Sequence, residues 1–131
     1  MLALDASLPH DKAAEAYEEG LRALLGESGK IDVALLGMGP DGHTCSLFPG
    51  HALLEKKDTL VASLADSPKP PPERITLTYA ALNEHTAAAA IVCAGEGKAV
   101  MLEEIRNGAD YPVARVANKV WFLDQAAAAK L

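Results

Sequence analysis

Apolar side chains recur at clear helical spacing over Ala13, Ala14, Tyr17, Leu21, Leu24 and Leu25. That stripe predicts an amphipathic helix, with Pro9 and Asp11 suited to its first turn and Gly26 to its stop. Further along, the period shortens. "IDVALLG" (31–37) and "LVASL" (60–64) are short strand-compatible runs, and "RITLTY" (74–79) alternates Ile75, Leu77 and Tyr79 with Thr76 and Thr78. "TAAAAIVCAG" (86–95) reads as a buried strand despite its alanines. A helix over "KAVMLEEIRNG" (98–108), a strand "KVWFL" (119–123) and a short alanine-rich helix complete the pattern.

Strands alternating with helices predict an α/β class, with a mainly parallel sheet flanked by helices. The 131 residues, half of them hydrophobic, are enough for one core, and no repeat or linker divides residues 1–131, which read as a single domain. Eighteen acidic against 12 basic residues give a net charge of -6, with no Lys/Arg cluster, which argues against nucleic acid as a partner. No window approaches the roughly 18 apolar residues of a membrane span, and no basic segment precedes an apolar one at the N-terminus, so the expected setting is cytoplasmic, away from membranes. Two cysteines imply no disulfide framework, and Cys93, inside "AAIVCA", is expected to pack as a small hydrophobe. The four prolines of "SPKPPPER" (67–74) must be extended and cannot lie in a central strand.

Candidate chemistry concentrates in "DVALLGMGPDGHTCSLFPGH" (32–51), where Gly37, Gly39 and Gly42 spell G-x-G-x-x-G after an apolar run. A dinucleotide site needs a helix opening at the third glycine. Pro40 lies inside the motif and Pro49-Gly50 follow closely, so at most about two turns of helix fit. Asp58, near the distance expected for the ribose-binding acid, precedes a strand instead of ending one. What remains is a strand end opening into a glycine-rich loop, the place where open α/β sheets bind ligands. There His43 is a candidate general base and Asp41 the carboxylate that fixes its tautomer. The alternatives are a tight turn capped by Asp41 with a solvated histidine, or a nucleophilic Ser46 or Cys45 activated by His43. His10, His51 and His85 lack metal-ligand spacing and read as surface or capping residues.

Lys98 in "GEGKA" opens a helix, where the macrodipole disfavours a cation unless an anion lies beside it, as a bound phosphate would; the alternative is a solvated lysine compensated by Glu96. Lys69 and Arg74 flank the proline run, so a stiff loop holds two cations toward an anionic ligand, or the run is a surface turn or a P-x-x-P ligand.

Taken in order, "DVALLGMGPDGHTCSLFPGH", "ADSPKPPPERITLT", "GEGKA" and "VWFLD" resemble the 6-phosphogluconolactonase family. The resemblance implies a Rossmann-like fold related to glucosamine-6-phosphate isomerase/deaminase. It also implies hydrolysis of 6-phosphogluconolactone, in the oxidative pentose phosphate pathway, without metal or organic cofactor. By the same resemblance His43 activates the attacking water, Asp41 orients it, and Lys98 meets the substrate phosphate, with Arg74 and Lys69 as further cations. Backbone N–H groups around Gly39 and Gly42 are the expected oxyanion donors. The isomerase relatives look like they carry a glutamate after the Gly-His pair, where this chain has "TCSLFPGH". The family's N-terminal half, with a Ser-Gly-Gly-Ser-type loop and an Asp-Glu-Arg segment, has no counterpart here. The chain is therefore expected to be a partial domain resembling the C-terminal half. Its sheet would then have an exposed edge and face, with a missing N-terminal half or self-association as the partner that covers them.

Overall fold

Alternation of side chains across a strand decides which residues of this sheet are buried. A computed structural model describes residues 1–131. It contains α1 (His10–Leu25), β1 (Ile31–Gly37), β2 (Val61–Leu64), β3 (Arg74–Leu77), β4 (Thr86–Cys93), α2 (Ala99–Arg106) and β5 (Lys119–Leu123). The three longer strands form a parallel sheet in the order β1-β4-β5, so the alanine-rich β4 is central. Ala34 and Leu36 of β1, Ala89, Ile91 and Cys93 of β4, and Trp121 and Leu123 of β5 face a core closed by Leu102 of α2 and by Leu47, Leu82 and Val113.

Several elements differ from the pattern read along the chain. β2 and β3 do not join the parallel sheet but pair with each other as an antiparallel ribbon, closed by the proline segment. The connection from β1 to β4 therefore runs through a ribbon, whereas β4 reaches β5 through α2. Thr78 and Tyr79 fall outside β3, because the chain turns into a single wide helical turn at Ala80–Glu84. Helix α1 packs on the ribbon, with Ala14, Tyr17 and Leu21 against Leu60, Val61 and Ile75, so Leu24 has no partner and is 62% exposed. Its Glu18 carboxylate accepts the N–H groups of Leu60 and Val61, each at 3.0 Å. The alanine-rich tail forms turns and no helix. Asp124 takes the N–H of Ala127 at 2.7 Å and that of Gly95 at 3.0 Å, tying the tail to the end of β4.

Parallel sheets are normally covered on both faces. Here the second face is open: Val33 and Leu35 of β1, Val92 of β4 and Val120 and Phe122 of β5 are 53–77% exposed, and Val92 lies beside Phe122 in register. Contiguous apolar surface of this kind drives association. The chain should bind a polarity-sensitive dye and self-associate with rising concentration. The double substitution Leu35→Lys, Phe122→Lys should reduce both effects in dye fluorescence and sedimentation velocity; unchanged association would assign it to another surface.

Candidate active site

The chain leaves β1 at Gly37 and reaches its next helical turn only at Ala52–Glu55. No helix opens at the glycines, so there is no N-terminus to meet a pyrophosphate, and the dinucleotide reading is closed. The loop is instead tied down by its own polar groups. Thr44 Oγ1 donates to the Gly37 carbonyl at 2.9 Å, Gly39 N–H to the His43 carbonyl at 2.8 Å, and Gly42 N–H to the Gly39 carbonyl at 3.1 Å. From outside, Val113 N–H donates to the Gly42 carbonyl at 3.0 Å, and Ser46 N–H to Thr76 Oγ1 at 2.9 Å. The amides of Gly39 and Gly42 are thus used inside the loop. In place of the expected oxyanion donation, these glycines make room: a Cβ at Gly39 would land on the His43 ring, and one at Gly42 on the Tyr111 ring.

His43 rests over Gly39 with Nδ1 against Asp41 Oδ1, its side chain 16% exposed. An ionised carboxylate only accepts, so Nδ1 carries the proton, and in the neutral ring the lone pair is at Nε2. Burial pushes the Asp41 carboxyl up, but the hydrogen bond and charge of His43 outweigh it and hold the acid below its usual range. Lys69 Nζ stands 3.6 Å from the other Asp41 oxygen. The Phe48 ring lies 4.6 Å from the imidazole, and the Arg74 guanidinium lies over that ring at 5.6 Å. Arg74 gathers the proline loop, donating from Nε to the Pro71 carbonyl at 3.0 Å and from Nη2 to those of Lys69 and Pro70 at 2.9 and 2.8 Å. Lys98, at the start of α2, donates to the Met38 carbonyl at 2.7 Å. That carbonyl answers the conflict of a cation at a helix N-terminus and leaves the ammonium two further donors. Loops and elements distant in sequence thus gather Asp41, His43, Lys69, Arg74 and Lys98 around the carboxyl end of β1.

The nucleophile alternatives lose support. Burial pushes the Cys45 thiol up to about 11, disfavouring the thiolate, and Ser46 is buried. Among the other histidines, His51 accepts the Leu53 N–H and faces Asp66, and His85 contacts the Gly29 carbonyl. No three His, Cys, Asp or Glu side chains converge as a metal-ligand set. His43 and Asp41 line none of the five principal clefts, and their side chains are 16% and 34% exposed. Reading along the chain misses Phe48 and the Met38 carbonyl, since neither a backbone acceptor nor a ring partner leaves a local signature.

Residues 1–123 match the family described as glucosamine-6-phosphate isomerases/6-phosphogluconolactonase. The chain is 46% identical over 136 residues to a 6-phosphogluconolactonase of Rattus norvegicus and 44% identical over 137 residues to that of Homo sapiens. Each alignment takes in 98% of this chain but only 52% and 53% of the relative, so the chain spans about half the length of the curated relatives it matches. The crystal structure of a 6-phosphogluconolactonase from Thermotoga maritima superposes with a TM-score of 0.78 at 38% identity, covering 92% of this chain and 54% of that one. A monomeric glucosamine-6-phosphate deaminase, at 20% identity and a TM-score of 0.64, shares the fold. No helix is long and apolar enough to cross a membrane. Family match, sequence identity and fold agree in placing the chain in the glucosamine-6-phosphate isomerase/6-phosphogluconolactonase family.

Proposed function

We propose that the chain hydrolyses 6-phospho-D-glucono-1,5-lactone to 6-phosphogluconate, with His43 as general base. The observation that carries this reading is the His43–Asp41 pair at the end of β1, in a chain 44–46% identical to relatives named for that reaction. Nε2 takes a proton from water as the water oxygen attacks C1. The imidazolium then returns that proton to the ring oxygen as the C1–O bond breaks. Such assistance is worth typically 10²–10⁴-fold. Lys98, with two uncommitted donors, holds the substrate phosphate, and Arg74 adds its Nη1 group, so that binding energy at the phosphate orients the lactone. We further propose a cytoplasmic setting, and that residues 1–131 form one unit corresponding to the C-terminal half of the family's domain, whose open sheet face meets the remaining half or a second copy.

The deciding experiment measures hydrolysis of fresh lactone by the 131-residue chain against the spontaneous rate, with His43→Ala as control. Turnover lost in the control supports the reading. Phosphate-dependent binding without turnover would overturn it in favour of a sugar-phosphate-binding unit, a reading the half-length match favours. Isomerisation or deamination is disfavoured by "TCSLFPGH", which carries no carboxylate. Lys98→Ala should raise KM about 10–100-fold, the worth of a charge-assisted hydrogen bond, while kcat changes little. A kcat loss at unchanged KM would remove Lys98 from phosphate binding.

A further inference from the structure

Phe48 is a large ring, 1% exposed, that belongs to neither hydrophobic cluster of the molecule. Core aromatics are normally buried by other apolar side chains. Two groups of the site pack on Phe48: the imidazole of His43 at 4.6 Å and a 43° tilt, and the guanidinium of Arg74 at 5.6 Å. The imidazole also rests against Gly39, whose missing Cβ is the space the ring occupies. Two contacts therefore restrain the plane of His43, Gly39 beneath and Phe48 beside it, while Asp41 restrains only its Nδ1 edge.

We infer that Phe48 is a positioning residue: its ring fixes the plane of the His43 imidazole over Gly39 and links it to Arg74 and so to the proline loop. The inference rests on the reading of His43 as general base. A hydrogen bond to Asp41 anchors the imidazole at Nδ1 but leaves the ring able to tilt about that atom, and tilting displaces Nε2 on the opposite edge. An aromatic neighbour in a tilted arrangement removes that freedom at little entropic cost, since Phe48 is itself buried, 1% exposed. Misplacement of a reacting group by about 1 Å costs roughly 10²-fold in rate.

The test uses Phe48→Leu, which keeps apolar bulk but loses the ring face, with Phe48→Met as a second variant, each corrected for its folded fraction. The expected result is a kcat about 10–100-fold lower with KM within about twofold of the parent. A spectroscopic readout needs no substrate. In the parent chain the His43 ring protons should be shielded by the Phe48 ring current and show cross-relaxation with it; in both variants the shielding disappears, while His85 signals stay in place. If the chain proves to have no lactonase activity, this NMR readout still decides the inference. Parent His43 signals without shielding, or full kcat in a folded Phe48→Leu variant, would overturn it.

Discussion

Gly39→Ala is expected to silence hydrolysis almost as completely as His43→Ala, by about 10²–10⁴-fold, while leaving the fold intact. Gly39 is not among the glycines with positive φ, so alanine meets no backbone penalty there. The three atoms its Cβ would meet most closely, at 2.0–2.8 Å, all belong to the imidazole of His43. A side chain can swing away where backbone cannot, so the strain is relieved by expelling the ring from its seat. Nε2 then leaves the opening at the end of β1, and Nδ1 leaves Asp41. Steady-state rates on fresh lactone, beside a urea unfolding curve, check this. The midpoint should correspond to a stability change within about 1 kcal/mol, the usual range for a tolerated substitution. Full activity in Gly39→Ala would mean that the imidazole works from another position.

The second large effect is on stability. Gly42 has φ +75°, a region costing an L-residue about 1–2 kcal/mol, and a Cβ there would meet Cβ and Cγ of Tyr111 at 2.7 Å. Crowding of that kind adds about 1–3 kcal/mol. Gly42→Ala should therefore cost about 2–5 kcal/mol, a large share of the 5–15 kcal/mol typical of a domain. Gly50 supplies the control, since it has φ +73° but nothing within 4 Å of an added Cβ; Gly50→Ala should cost only the backbone part. Adding Tyr111→Ala to Gly42→Ala removes the ring but leaves the Tyr111 Cβ in place, so it should recover only part of the difference, a coupling that a double-mutant cycle in urea measures. Equal losses at Gly42 and Gly50 would show that Tyr111 yields without cost.

Much of this protein is determined by local pattern. The spacing of Ala13, Ala14, Tyr17 and Leu21 and the stop at Gly26 place α1, because an amphipathic helix must present one face to a core, and the short apolar runs place β1 and β5. The prolines and glycines after Gly37 exclude a dinucleotide helix, since Pro40 and Pro49 limit what backbone can follow. The Asp41–His43 spacing carries the pair that the loop brings into contact, because both partners lie within one turn. Only the tertiary structure decided the rest. Whether β2 and β3 join the sheet or pair with each other depends on which edge each meets, and short apolar runs carry no record of their partner. The alanine-rich tail has helical propensity, yet Asp124 draws it into turns toward Gly95. Lys98 finds the Met38 carbonyl 60 residues away, and Phe48 finds Arg74 across the proline loop, contacts that only chain crossing creates. The open face follows the same division. Alternation along each strand determines that Leu35, Val92 and Phe122 point together, whereas what lies over them is a matter of layers, and layers are built by tertiary packing.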